Sequence, residues 1–426
     1  MKKILSILCA VLIIFSLCAC GGNAVPAACE HLEKQAATCL EPAKCKACGV
    51  TFGAALGHSF LEGKCIRANC KEQDPDSINW YTKGSVNITK AEAEEILSAS
   101  FKKPKNVIVM IGDGMGPNDI ILTEKNKKGC FDFGLVLNLI KNTGFATTRS
   151  YDSIVTDSAA SGTALATGQK TNNGYVGMSP EGKPIKNVAE IAKEKGKRVG
   201  IVTNDDIIGA TPSAFAVHNI SRKNYSELAV SFAKFKPDVL MGQGYSYFDN
   251  ADLSAFLVSK DAASINSVLN RDPLCEKPFI GFFSEDIIKE PNDTLAHLTE
   301  VALNRLKNDK GFFLMVESAG TDKAGHNNHI KGKVNSVVTL DRAVAVVLKF
   351  MKENPDTLLI ITSDHETGGV VLPKGEFKLS SSLFTTDGHT NKDVRTFAVG
   401  YGAEYFSGKT VDNTNIGKFV IDAIKN

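Results

Sequence analysis

From residue 106 onward, short runs of consecutive apolar residues alternate with longer stretches in which apolar residues recur every three or four positions. The runs at 106–111, 197–203, 311–316, 357–362 and 396–399 have strand length, and the stretches at 187–195, 295–307, 334–352 and 416–425 have the helical period. A strand that is apolar along its whole length, rather than at every second position, is covered on both faces. Such strands alternating with helices predict an α/β fold: a three-layer sandwich with a largely parallel central sheet between two helical layers.

Polar residues punctuate this pattern at particular places. Asp113 follows the first run, inside Gly112-Asp113-Gly114; Glu317 ends the third; Asp364 and His365 follow the fourth. Ligands of open α/β sheets bind beyond the carboxyl ends of the strands, so the pattern gathers three carboxylates and an imidazole at one edge. Carboxylates that close resist joint ionisation. Either several buried salt bridges neutralise them or cations do. Few basic residues stand beside them in the chain, which makes a multi-metal site the simpler account.

The start of the chain has a different character. Lys2 and Lys3 precede an apolar run over 4–17 that ends among small residues, the form of an export signal. The run is short for a membrane span, and an uncleaved short anchor is the alternative. Leu17, Ala19 and Cys20 resemble the end of a bacterial lipoprotein signal. That resemblance implies removal of residues 1–19, lipidation of Cys20, and a mature chain held by a lipid anchor at the outer face of the cell membrane. Of the 11 cysteines, Cys20 and six more (Cys29, Cys39, Cys45, Cys48, Cys65 and Cys70, crowded into 29–70) lie in the segment 20–73. Such density predicts a small stapled module. Cys45-x-x-Cys48 with nearby His58 has the spacing of a structural zinc site, whereas export favours disulfides; both readings stay open. The segment also resembles a short Cys-rich module found on surface proteins of Gram-positive bacteria. Residues 74–104 form a polar connector with one helical stretch at 90–98 opened by Thr89. A net charge of +2 gives no ground for a nucleic-acid partner.

The segment 155–164, Val-Thr-Asp-Ser-Ala-Ala-Ser-Gly-Thr-Ala, places Ser158 before a run of small residues. A helix starting there would offer free N–H groups to an anion. An ordinary helix cap at Asp157 or Ser158 is the competing reading.

Six segments, in order, resemble the alkaline phosphatases: 106–116 (NVIVMIGDGMG), 155–168 (VTDSAASGTALATG), 210–222 from Ala-Thr-Pro through His218 to Arg222, 315–326 (MVESAGTDKAGH), 362–365 (TSDH) and 388–390 (GHT). They span most of a catalytic domain over 105–426. The resemblance implies a phosphomonoesterase with Ser158 as nucleophile, Arg222 clamping phosphate and Lys323 contacting it through water. It implies one Zn2+ on Asp322, His326 and His389. A second would lie on Asp113, Asp364, His365 and Ser158. A third site, usually Mg2+, would take Asp113, Thr211 and Glu317. Its substrates would be small phosphate monoesters, and relatives are often homodimers. One departure stands out: where the family has Asp or His two residues before the third-site threonine, this chain has Gly209, with Asp205 and Asp206 off register. His218 and His329 match no ligand position. A phosphodiesterase of the same superfamily is the nearest alternative, and a non-catalytic phosphate- or metal-binding lipoprotein is the alternative outside enzymes.

Overall fold

The computed structural model describes residues 86–127, 129–260, 277–284, 293–375 and 378–425, together with five short strands before residue 66. Contacts divide the chain into two units, Met1–Asp74 and Pro75–Asn426. In the first, Lys34–Gln35, Ala43–Cys45 and Thr51–Phe52 form an antiparallel three-stranded sheet, and Phe60–Leu61 pairs with Lys64–Cys65. Cys20, Cys48 and His58 lie outside the described residues.

The second unit is built on a ten-stranded sheet. In chain order its strands are β1 (Asn106–Gly112), β2 (Asn142–Thr147), β3 (Arg198–Asp206), β4 (Val239–Gln243), β5 (Leu257–Ser259), β6 (Phe279–Phe282), β7 (Phe312–Ser318), β8 (Thr357–Thr362), β9 (Val394–Val399) and β10 (Thr410–Asp412). In space they run β5-β6-β4-β3-β7-β1-β8-β9-β2-β10. All neighbours are parallel except at β9, which is antiparallel to both β8 and β2.

The period of two along each strand divides the apolar residues between two cores. Val107, Val109 and Ile111 of β1 join Phe313 and Met315 of β7 on one face, against the helices Ser158–Thr167, Val188–Glu194, Tyr225–Phe235 and Asn413–Lys425. Ile108 and Met110 join Phe312, Leu314 and Val316 on the other, against Lys90–Ser98, Thr294–Leu306 and Ile330–Glu353. This is the expected sandwich with helices on both faces. The longest helix begins earlier than the apolar pattern predicts. The long helix opens at Ile330 rather than 334, because its first turns bury Lys333, Asn335 and Ser336, which break the apolar period. The helix at 90–98 forms as predicted, with Thr89 Oγ1 accepting the Glu92 N–H at 3.2 Å.

Candidate active site

The four central strands deliver the site. Parallel pairing sets Glu317 of β7 beside Ile111 of β1 and Thr203 of β3, and sets Thr362 of β8 beside Ile111. Asp113 and Asp364 therefore each stand two residues beyond an aligned pair, next to one another. The turn after β1 is tied to the turn after β8: the Gly114 N–H donates to Asp364 Oδ1 (3.1 Å) and the Met115 N–H to Ser363 Oγ (2.9 Å). Gly114 has φ +68°, and a Cβ there would stand 2.6 Å from the Asp322 Cα. Glycine is thus required for the short helix Gly320–His326 to approach the turn.

Ser158 is the first residue of the helix Ser158–Thr167, which is buried at every position and, Leu165 apart, made of small residues. Asp157 is the N-cap, as the competing sequence reading has it: its Oδ1 accepts the Ala160 N–H at 2.9 Å. The same carboxylate has a second task. Its Oδ2 accepts from Arg222 Nη1 and from the Gly174 N–H, both at 3.1 Å. Arg222 is thereby anchored beside the helix N-terminus, and Ser158 Oγ lies 3.1 Å from His365 Nε2.

Two groups of side chains meet there: Asp113, Asp364 and His365, and Asp322, His365 and His389, with the ligand atoms of each group within 4.8 Å of one another. His326 adjoins the second, its Nε2 3.4 Å from Asp322 Oδ1 and 3.2 Å from His389 Nε2. The outer nitrogens of both rings face carbonyls, His326 Nδ1 at Asp387 O (2.6 Å) and His389 Nδ1 at Thr156 O (2.9 Å). That arrangement fixes the tautomer and turns both Nε2 atoms inward. Thr367 does the same for His365. Its hydroxyl donates to Asp322 Oδ1 (2.6 Å) and so accepts from His365 Nδ1 (3.1 Å), which turns His365 Nε2 inward.

Burial, then the charges of Asp364, Asp322 and Glu317, pushes the Asp113 carboxyl well above its usual range. Burial raises Glu317 to about 8, against the hydrogen bond from Thr203 and with the help of Asp205. Asp322 is the opposite case. Burial would raise it, but the hydrogen bond from His389 and the three surrounding imidazoles hold it below the carboxylate range. Asp113 Oδ1 and Asp364 Oδ2 are buried with no hydrogen-bond donor. Oxygens in that condition, beside imidazole nitrogens turned inward, form a donor set suited to divalent cations.

Of the third-site residues, Thr211 Oγ1 stands 3.5 Å from Asp113 Oδ2, and Glu317 is bonded to Thr203. Asp205 is taken by Lys323, whose ammonium binds its Oδ1. A Cβ on Gly244 would meet Asp206 Oδ1 at 2.9 Å, so that carboxylate packs against the Gly244 turn. His218, assigned no ligand role, bridges Gly177 O (2.7 Å) and Glu190 Oε1 (3.0 Å). The sequence reading did not single out Thr367 or Thr203, or the pairing of Asp157 with Arg222; all three depend on contacts between distant segments.

The family model described as Alkaline phosphatase matches residues 104–257 and 264–382. The chain belongs to the alkaline phosphatase family. It is 37% identical to alkaline phosphatase 4 of Bacillus subtilis over 66% of this chain and 67% of that protein. Identity to alkaline phosphatase 3 of the same organism is 30%, over 82% of this chain and 95% of the relative. Among solved structures, the cold-active alkaline phosphatase of a psychrophilic Shewanella superposes with a TM-score of 0.68 at 28% identity, covering 75% of this chain and 99% of that one. The alkaline phosphatase of the Antarctic bacterium TAB5 gives 0.65 at 28%, over 76% and 99%. Among the described residues of this alkaline phosphatase family member, no helix is long and apolar enough to cross a membrane.

Proposed function

We propose that the protein hydrolyses phosphate monoesters through a phosphoserine at Ser158, in a site held by two zinc ions and one magnesium ion. The observation that carries this reading is the position of Ser158 Oγ: buried at a helix N-terminus, 3.1 Å from His365 Nε2, beside carboxylate oxygens that have no donor. The residues present fit the cations. Asp322, His326 and His389 would hold one zinc, Asp113, Asp364, His365 and Ser158 Oγ the other, and Asp113, Thr211 and Glu317 the magnesium. A variant of the TAB5 alkaline phosphatase carries Mg in its M3 site. When bound, the zinc ions would lower the pKa of the Ser158 hydroxyl and offset charge on the ester oxygens.

The chain's own groups do the rest. Ser158 Oγ forms the bond to phosphorus as the bond to the leaving alcohol oxygen breaks, and that alcohol departs with a proton. Water then takes the place of Ser158, releasing phosphate. Arg222, held by Asp157, meets two phosphate oxygens with its planar fork, and the helix N-terminus adds favourable potential. Lys323, held by Asp205, adds a second cation. Two cations suit a dianion, which favours monoesters over diesters. Comparison of a chromogenic phosphate monoester with the matching diester tests this. A higher kcat/KM on the diester, or no turnover of either, overturns the reading.

Arg222→Ala should weaken inhibition by inorganic phosphate about ten- to a hundredfold, the worth of a bidentate charge-assisted pair of about 1.5–3 kcal/mol. Arg222→Lys should recover only part of it, because an ammonium lacks the fork. Unchanged phosphate inhibition in the Ala variant would remove Arg222 from the site. At the third site, Gly209→Asp should raise magnesium affinity, read by titration calorimetry. Gly209 has φ −52°, which any L-residue accepts, though its Cβ would press on Asp206 O at 2.9 Å and the turn must yield slightly. Equal magnesium affinity in the two proteins would show that Gly209 leaves no ligand gap.

A further inference from the structure

Beside the turn that follows Asp113 is an ion pair that the chemistry above does not use. Lys333, in the first turns of the helix Ile330–Glu353, and Asp119, in the first turn of the helix Pro117–Asn126, are both fully buried, with Lys333 Nζ 2.8 Å from Asp119 Oδ2. Asp119 Oδ1 has no donor at all. Buried pairs of this kind are often no more stabilising than apolar side chains of the same volume, so stability alone does not account for it. Burial in fact drives the Asp119 carboxyl upward in spite of Lys333.

The bonds around the pair point elsewhere. Asp119 Oδ2 accepts the Gly116 N–H at 2.8 Å, and Lys333 Nζ lies 3.3 Å from Gly114 O. From the other side, Asp364 and Ser363 take the Gly114 and Met115 N–H groups. All three N–H groups of Gly114–Gly116 thus reach side chains, the Met115 N–H being shared with Gly112 O at 3.1 Å. Two of the three residues are glycine, with the least intrinsic restraint of any residue, so these external bonds decide the shape of the turn.

We propose that the Asp119–Lys333 pair is a positioning device: it fixes the turn Gly114–Gly116, and through it the direction in which Asp113 presents its carboxylate to the cations. Apolar side chains would fill the same space but could bond neither the Gly116 N–H nor the Gly114 carbonyl. The cation part of this inference rests on the metal reading above; the part concerning the turn does not.

The test compares wild type with the apolar double swap Asp119→Leu/Lys333→Met. The thermal midpoint of the double variant should stay near wild type. In metal-free protein, amide hydrogen exchange over residues 113–117 should be at least about tenfold faster, with the central strands β1 and β7 unchanged. Zinc retention against a competing chelator should fall about tenfold, the factor reached when groups that orient a ligand are lost. Unchanged exchange in the turn overturns the proposal. So does faster exchange with zinc retention equal to that of a zinc-holding wild type. Should the double variant not fold, the smaller pair Asp119→Ala/Lys333→Leu, which likewise removes both the acceptor and the ammonium, decides by the same two readouts. A wild type that holds no zinc overturns the metal reading instead, and the exchange measurement still decides whether the pair governs the turn.

Discussion

Ser158→Ala should lower kcat/KM on a chromogenic phosphate monoester by on the order of 10^4 to 10^6, the scale seen when a nucleophile acting as a unit with its activating groups is removed. The substitution removes one oxygen at a position that is almost wholly buried and tightly packed. Alanine keeps the backbone, and the Asp157 cap with its bond to Ala160 is untouched, so the fold should stay intact. Arg222 and its Asp157 anchor also remain, and the variant should still bind inorganic phosphate. Loss of turnover with retained phosphate binding assigns Ser158 to the bond-making step. Turnover within tenfold of wild type would mean that water attacks the ester directly, and the phosphoserine would have to be abandoned.

Removal of metal should be as severe. Excess chelator should bring turnover below about 1% of the untreated protein, because the His365 imidazole beside Ser158 cannot by itself replace cations that lower the hydroxyl pKa and offset charge on the ester oxygens, and added zinc should restore it. Full activity in protein shown to be metal-free by elemental analysis would sink the metal reading. A second signature follows from the carboxylates. In the absence of cations Glu317 has its pKa raised to about 8, and Asp113 is raised too. An acid raised in the folded state contributes stability that is fully present below its unfolded pKa and is lost as pH rises through the folded value. The thermal midpoint of metal-free protein should therefore fall between about pH 5 and pH 8. Asp322 and Asp364 are shifted the other way, and their contribution is lost only at more acid pH, outside this window. Bound cations stabilise the ionised carboxylates, so the fall should be absent from zinc- and magnesium-loaded protein. Equal slopes with and without metal would show that these carboxylates are not its ligands.

The sequence made the centre of this molecule readable and left its flanks obscure, for physical reasons. β1, β7 and β8 are covered on both faces, so their apolar runs are continuous, and the first polar residue after each marks the functional edge. β2 is different: Asn142-Thr143-Gly144-Phe145-Ala146-Thr147 is only partly buried and carries little apolar signal. β4 and β6 are apolar but short, and a run of that length does not separate strand from buried helix. Asp113, Glu317, Asp364 and His365 stood out because local order in the chain places them at strand ends, whereas Ser158, Thr211, Asp322, His326 and His389 were legible through the resemblance of their segments to the alkaline phosphatases. What did not stand out is contact between segments far apart. Thr367 orients His365 and Asp322, Asp157 serves Arg222 as well as its own helix, and Asp119 meets Lys333 across 214 positions of sequence. Nothing in spacing or composition announces such pairs.

The reversed strand has a consequence for synthesis. Because β9 runs against its neighbours, it is the start of the strand, not the end, that reaches the catalytic edge, and His389 arrives on the approach to it. Both partners of β2 in the sheet, β9 and β10, come from the last part of the chain. A polypeptide emerging N-terminus first therefore makes residues 142–147 long before anything can pair with them, and completes the ring of histidines only when residues 394–399 slide between β8 and β2. Until that insertion, β2 presents two open edges to whatever lies nearby. A chain cut short before residue 394 should thus possess Ser158, Arg222 and every acidic ligand, yet be prone to aggregate and unable to hold His389 in register.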